Sequence, residues 1–151
     1  ARGGALVDLD LDGLLDLVVV NRREPVTVWR NVGASSGSDA DAAAEPMGSW
    51  AAVRLQQPAP NVDAVGAWIE VRAGDRTSVT EVTVGGGHAG GQRGWIHVGL
   101  GRAEEAEIRV TWPDGEVGPW LRLPIDDFGV IERGAAEVAT WTAAPEAGGT
   151  S

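Results

Sequence analysis

Ile108, Val110 and Trp112 alternate with Glu107, Arg109 and Thr111, a period of two that gives one apolar and one wet face and predicts a strand over 106–112. Pro113-Asp114-Gly115 follows as a tight-turn signal, so 116–123 is predicted to return antiparallel. Further short runs predict strands at 50–56, 66–73, 77–84, 94–98, 128–132 and 137–142, with Ala73-Gly74-Asp75-Arg76 joining 66–73 to 77–84. Eight strands in about 95 residues predict an all-β, antiparallel, sandwich-like domain, with a small barrel as the other closed solution.

Nearer the start, Leu14 to Val20 is almost continuously apolar and Val26 to Trp29 is a second short run, with Asn21-Arg22-Arg23-Glu24-Pro25 between them. This reads as one hairpin. Residues 34–48, ASSGSDADAAAEPMG, offer too little apolar surface to offset an ordering cost of about 1–2 kcal/mol per residue, and read as a linker. The expected organisation is a first unit at 1–33, the linker at 34–48, a β domain at 49–142 and a flexible tail at 143–151.

Composition sharpens this picture. The 22 glycines and eight prolines among 151 residues leave little room for long helices. No apolar run approaches the roughly 20 residues that span a bilayer, so no membrane insertion is expected. The net charge is −10 and every basic residue is arginine, placed mostly singly, which lacks the basic stripe that nucleic acid requires. Divalent cations suit this balance better. With no cysteine, disulfides, zinc-thiolate sites and cysteine nucleophiles are excluded. The sequence starts at Ala1 with neither an initiator Met nor a signal region, which reads as an internal or C-terminal piece of a longer chain.

The most specific chemistry is Asp8-Leu9-Asp10-Leu11-Asp12-Gly13-Leu14-Leu15-Asp16. Carboxylates at relative positions 1, 3, 5 and 9, a glycine at 6 and a backbone carbonyl at 7 are how a short loop wraps a hard cation, and the candidate ligands are Asp8, Asp10, Asp12, Asp16 and the carbonyl of Leu14. Calcium is the expected ion. An EF-hand needs Glu at position 12 and flanking helices; here that position is Val19 and a β-branched run follows, so the loop leads into a sheet. The plainer alternative is a solvated acidic turn, although four acids with a correctly placed glycine rarely coincide in a nine-residue window.

DLDLDGLLDLVVVN, followed by Val28-Trp29-Arg30-Asn31-Val32-Gly33, resembles one FG-GAP (VCBS-type) repeat. Such repeats are blades of calcium-binding β-propellers, which implies a last, truncated blade whose partners are upstream blades of the same chain. Residues 50–133 resemble the ASPIC/UnbV domain, which follows FG-GAP blades in cartilage acidic protein and in many bacterial secreted proteins. The matching stretches are Trp50 to Leu55, Asn61 to Ala67, Glu81 to Gly87, Ile96 to Gly101 and Val110 to Gly115. Where that family has an aromatic followed by Ser-Gln, this chain has His88-Ala89-Gly90-Gly91-Gln92. The resemblance implies a secreted or extracellular protein.

Other constellations are weaker. Gly85-Gly86-Gly87-His88 lacks the following helix that a phosphate cradle needs, and reads as a turn. His88 and His97 lie on separate elements with no cysteine to complete a metal site. Asp114 with Glu116, and Asp126 with Asp127, are the carboxylate pairs a glycosidase would require, and both are explained by turns. No nucleophile elbow surrounds a serine, and the expectation is that the chain is not an enzyme. Of the seven tryptophans, Trp50, Trp68 and Trp112 are expected in the core, whereas Trp95 and Trp120, beside glycine-rich loops, are the candidates for ligand contact. The leading expectation is a non-enzymatic extracellular calcium-binding module for adhesion or for protein or carbohydrate interaction. The alternatives are a carbohydrate-binding accessory module of a larger enzyme and, from the UnbV resemblance, an accessory protein of enediyne-type secondary-metabolite biosynthesis.

Overall fold

A computed structural model describes residues 3–33, 47–85 and 91–143. Most of the expected linker, most of the expected tail, and Gly86, Gly87 and His88 lie outside the described residues. The described residues form eleven strands: β1 Gly3–Val7, β2 Asp16–Val20, β3 Thr27–Trp29, β4 Ser49–Gln56, β5 Trp68–Ala73, β6 Arg76–Glu81, β7 Ile96–Gly101, β8 Ala106–Thr111, β9 Leu121–Leu123, β10 Asp127–Glu132 and β11 Ala139–Thr140. The architecture is all-β, and among the described residues there is no helix. Among the described residues no helix is therefore long and apolar enough to cross a membrane.

Two four-stranded sheets, ordered β11-β10-β4-β7 and β6-β5-β8-β9, supply one core. Ala51, Val53 and Leu55 of β4, Val98 and Leu100 of β7 and Ile131 of β10 cluster with Ile69 and Val71 of β5, Ile108 and Val110 of β8 and Leu121 and Leu123 of β9. Alternation along β5, β8 and β9 sends these residues inward and their neighbours outward, as in a sandwich-like pair of sheets, whereas on β4 and β10 Ala52 and Phe128 of the opposite face are buried as well. β6 is exposed along its whole length, and its Arg76, Thr77, Ser78 and Glu81 blunt that edge.

Several expectations are corrected. The sheet containing β10 is mixed rather than purely antiparallel, because β10 pairs with β4 in parallel, Phe128 opposite Ala52 and Ile131 opposite Leu55. The return after Pro113-Asp114-Gly115 is shorter than 116–123. The Gly115 amide donates to the Trp112 carbonyl at 2.8 Å, a turn with proline second and glycine fourth. The ladder then holds only a bridge between Thr111 and Val117 before β9 resumes with Leu121 opposite Ile108. The last predicted strand contracts from 137–142 to β11. The first unit is a three-stranded sheet, β1-β2-β3, not a two-stranded hairpin, since Gly3 to Val7 pairs with Val20 to Asp16.

Candidate functional site

The acidic loop is the connection from β1 to β2, and its own carboxylates shape it. Asp8 accepts the Asp12 amide on Oδ1 at 3.1 Å and the Gly13 amide on Oδ2 at 2.9 Å, while Asp12 Oδ1 accepts the Leu14 amide at 2.9 Å. Such short-range bonds are why aspartate prefers turns to ladders. Leu11 and Gly13 take positive φ, 62° and 87°, and the resulting coil brings carboxylate oxygens of Asp8, Asp10 and Asp12 within 4.8 Å of one another.

Asp16 stands apart from that group. It is the first residue of β2 and only 2% exposed, and its two oxygens accept the amides of Leu9 at 3.1 Å and Asn31 at 2.8 Å. Its charge is thus met by backbone dipoles, tying the loop's start to the segment after β3. Asn31 adds a bond from Nδ2 to the Leu15 carbonyl at 3.4 Å. The Leu14 side chain is half-buried. Sequence reasoning did not assign Arg30 to the site, yet its Nη2 lies 2.5 Å from Asp10 Oδ2 and 3.6 Å from Asp12 Oδ2. A lone arginine in the strand-end stretch that accompanies such a loop was the available signal.

A calcium ion takes oxygens at about 2.3–2.6 Å, so oxygens on opposite sides of one ion stand about 5 Å apart. The Asp8, Asp10 and Asp12 oxygens fall inside that span and fit one coordination shell. Asp16 supports the loop from beneath, and Arg30 competes for the same charge.

The loop is docked on the two-sheet module at Gly13. A β-carbon there would sit 2.0 Å from Nε1 and 2.1 Å from Cε2 of Trp50, so the indole occupies space that only glycine leaves open, at a φ that glycine tolerates. His97 stacks on Trp50 with ring centroids 5.6 Å apart, and its Nε2 donates to the Gly13 carbonyl at 2.8 Å. Trp50 is held in turn by Asp126, whose Oδ1 accepts its amide at 3.0 Å and whose own amide donates to the Trp50 carbonyl at 2.7 Å. Gln92 Nε2 adds a second link, to the Leu6 carbonyl at 2.6 Å.

The tryptophans are not distributed as expected. Trp112 is buried, but Trp68 points outward at 48% exposure, and Trp29 is likewise exposed. Trp95 and Trp120 are half-buried and engaged within the chain. Trp95 packs against Phe128 and Trp141 at 5.0 and 5.1 Å between centroids. Trp120 lies under the guanidinium groups of Arg72 at 3.8 Å and Arg109 at 4.6 Å, a cation–π arrangement. Asp114 and Glu116 both pair with Arg133. The hydrogen bond from Arg133 holds the Asp114 carboxyl below its ordinary range, and the bond to Glu116 is the main cause raising Arg133.

The model of the family described as ASPIC and UnbV matches residues 57–138, more than half of the chain; β1, β2, β3 and β4 precede the match. Within it, the Asn61 to Ala67 stretch is a turn organised by Asn61, which accepts the Val65 amide at 3.0 Å and donates to the Val65 carbonyl at 2.9 Å. No curated protein and no solved structure matches.

Proposed function

The chain belongs to the ASPIC and UnbV family, and from that premise we propose that it is a non-enzymatic, extracellular recognition module whose N-terminal β unit is made rigid by calcium. The observation that carries the reading is the convergence of Asp8, Asp10 and Asp12 in a loop docked through Gly13 on Trp50. When bound, calcium would supply the positive charge that three crowded carboxylates need. The chain's own residues supply the rest. Asp8 and Asp12 hold the loop amides, Asp16 ties the loop's start to the segment after β3, and Trp50 and His97 transfer its geometry to the module.

On the FG-GAP resemblance, β1, β2 and β3 are the last blade of a propeller. The sheet's composition supports this. Leu6, Leu17 and Trp29 align on one face by their register, and Val18 and Val28 on the other. A sheet apolar on both faces is suited to cover from both sides. Calorimetric titration of the chain with Ca²⁺ tests the proposal. One ion per chain is expected, with the heat lost in Asp12→Ala and retained in Asp114→Ala. No binding at millimolar calcium, or unchanged binding in Asp12→Ala, overturns it.

A further inference from the structure

A groove of about 580 Å³ runs between the N-terminal sheet and the module, within the range of small-molecule sites and in the inter-unit setting where they concentrate. Leu6 and Leu15 form one wall, and Arg54 and Trp95 contribute to the other. The two sides are tied across the groove by the bond from Gln92 to the Leu6 carbonyl. Trp95 is set before any ligand arrives, since Phe128 and Trp141 pack against its ring and the Arg54 guanidinium lies 5.8 Å from its centroid. A rigid aromatic costs little ordering entropy on binding.

The polar lining decides the class of ligand. Arg54 and Arg93 are balanced by Asp63 and Glu81, and Arg93 already pairs with Asp63 at 3.1 Å. A charged ligand would meet no net opposite charge there. Planar donors and acceptors beside an indole, with Thr83 adding a hydroxyl, offer directional bonds to hydroxyl groups and an apolar surface for the carbon face of a ring. We propose that this groove is a binding site for a neutral oligosaccharide. The inference rests on reading the chain as a recognition module, and it does not require calcium to touch the sugar.

The test is calorimetry and tryptophan fluorescence on the whole chain with cellohexaose, xylohexaose, mannohexaose and chitohexaose, and with hyaluronan oligosaccharide as an anionic arm, each with calcium and with chelator. Saturable binding of at least one neutral sugar is expected, weakened about two- to tenfold by Trp95→Ala, as the loss of an aromatic contact implies. Because Trp95→Ala also loosens the Phe128 cluster, Arg93→Ala provides the second variant. Its side chain is mostly exposed, so an unchanged melting temperature with weakened binding supports the groove. Trp120→Ala, at a residue that does not line the groove, leaves binding unchanged. The proposal is overturned if no neutral sugar binds at millimolar concentration, if only hyaluronan binds, if both groove variants bind as the parent does, or if Trp120→Ala alone abolishes binding. Calcium binding with no sugar binding sinks the groove and spares the calcium loop, whereas sugar binding by a chain that takes no calcium does the reverse.

Discussion

Gly13→Ala concentrates the coupling between the acidic loop and the module in one methyl group. The new β-carbon would fall 2.0–2.6 Å from three atoms of the Trp50 indole, so the ring must leave its place. Displacement costs the stack on His97 and the edge contact with Phe128, about 0.5–1.5 kcal/mol each. The bond from His97 to the Gly13 carbonyl contributes about another 1 kcal/mol. The φ of 87° adds about 1–2 kcal/mol for any residue with a β-carbon. Together these give about 3–6 kcal/mol, or a fall in melting temperature of roughly 6–24 °C at 2–4 °C per kcal/mol. Thermal unfolding followed by circular dichroism reads the loss, and hydrogen exchange over 8–20 reads local opening. In a Trp50→Ala background the clash disappears and only the φ term of about 1–2 kcal/mol should remain. An effect below about 0.5 kcal/mol, or the same cost in both backgrounds, would refute the joint.

Three further outcomes follow from the packing. Ile108→Ala removes a fully buried side chain between the two sheets and should cost about 2–5 kcal/mol in urea denaturation. Asp16→Asn leaves one oxygen acceptor but turns an amino group toward a backbone N–H, and should cost about 1–3 kcal/mol by the same assay. The Asp114 carboxyl is held below its ordinary range by Arg133, so its contribution is present above the unfolded-state value of about 4 and is lost as pH falls through the folded value. Arg133→Ala should therefore melt below the parent near neutrality, and the gap should close below about pH 4; a gap that widens in acid contradicts this.

Legibility in the sequence followed the range of the interactions. The strand at Ala106–Thr111 and the turn at Pro113 to Gly115 were readable because alternation and turn chemistry are local. Gly3-Gly4-Ala5 carries no β-branched side chain, so β1 became a strand only through its pairing with β2. The parallel pairing of β10 with β4 joins segments far apart in the chain, and no local pattern records it. Trp68 was legible and misassigned. Ile69 and Val71 point inward, so a strict period of two already places Trp68, Glu70 and Arg72 outside. In the acidic loop, spacing gathered Asp8, Asp10 and Asp12. It did not reveal that Asp16 would turn to the Leu9 and Asn31 amides, or that Arg30 would stand beside Asp10, because those contacts depend on where the end of β3 lies.

Hydrogen exchange with and without calcium tests the central claim most directly, since it reads the loop and its joint together. Calcium should slow exchange over 8–16 and, through Gly13, over 49–53 and 95–98 around Trp50 and His97; exchange unchanged by calcium in the loop, or slowed there with no effect at Trp50 and His97, would contradict the account.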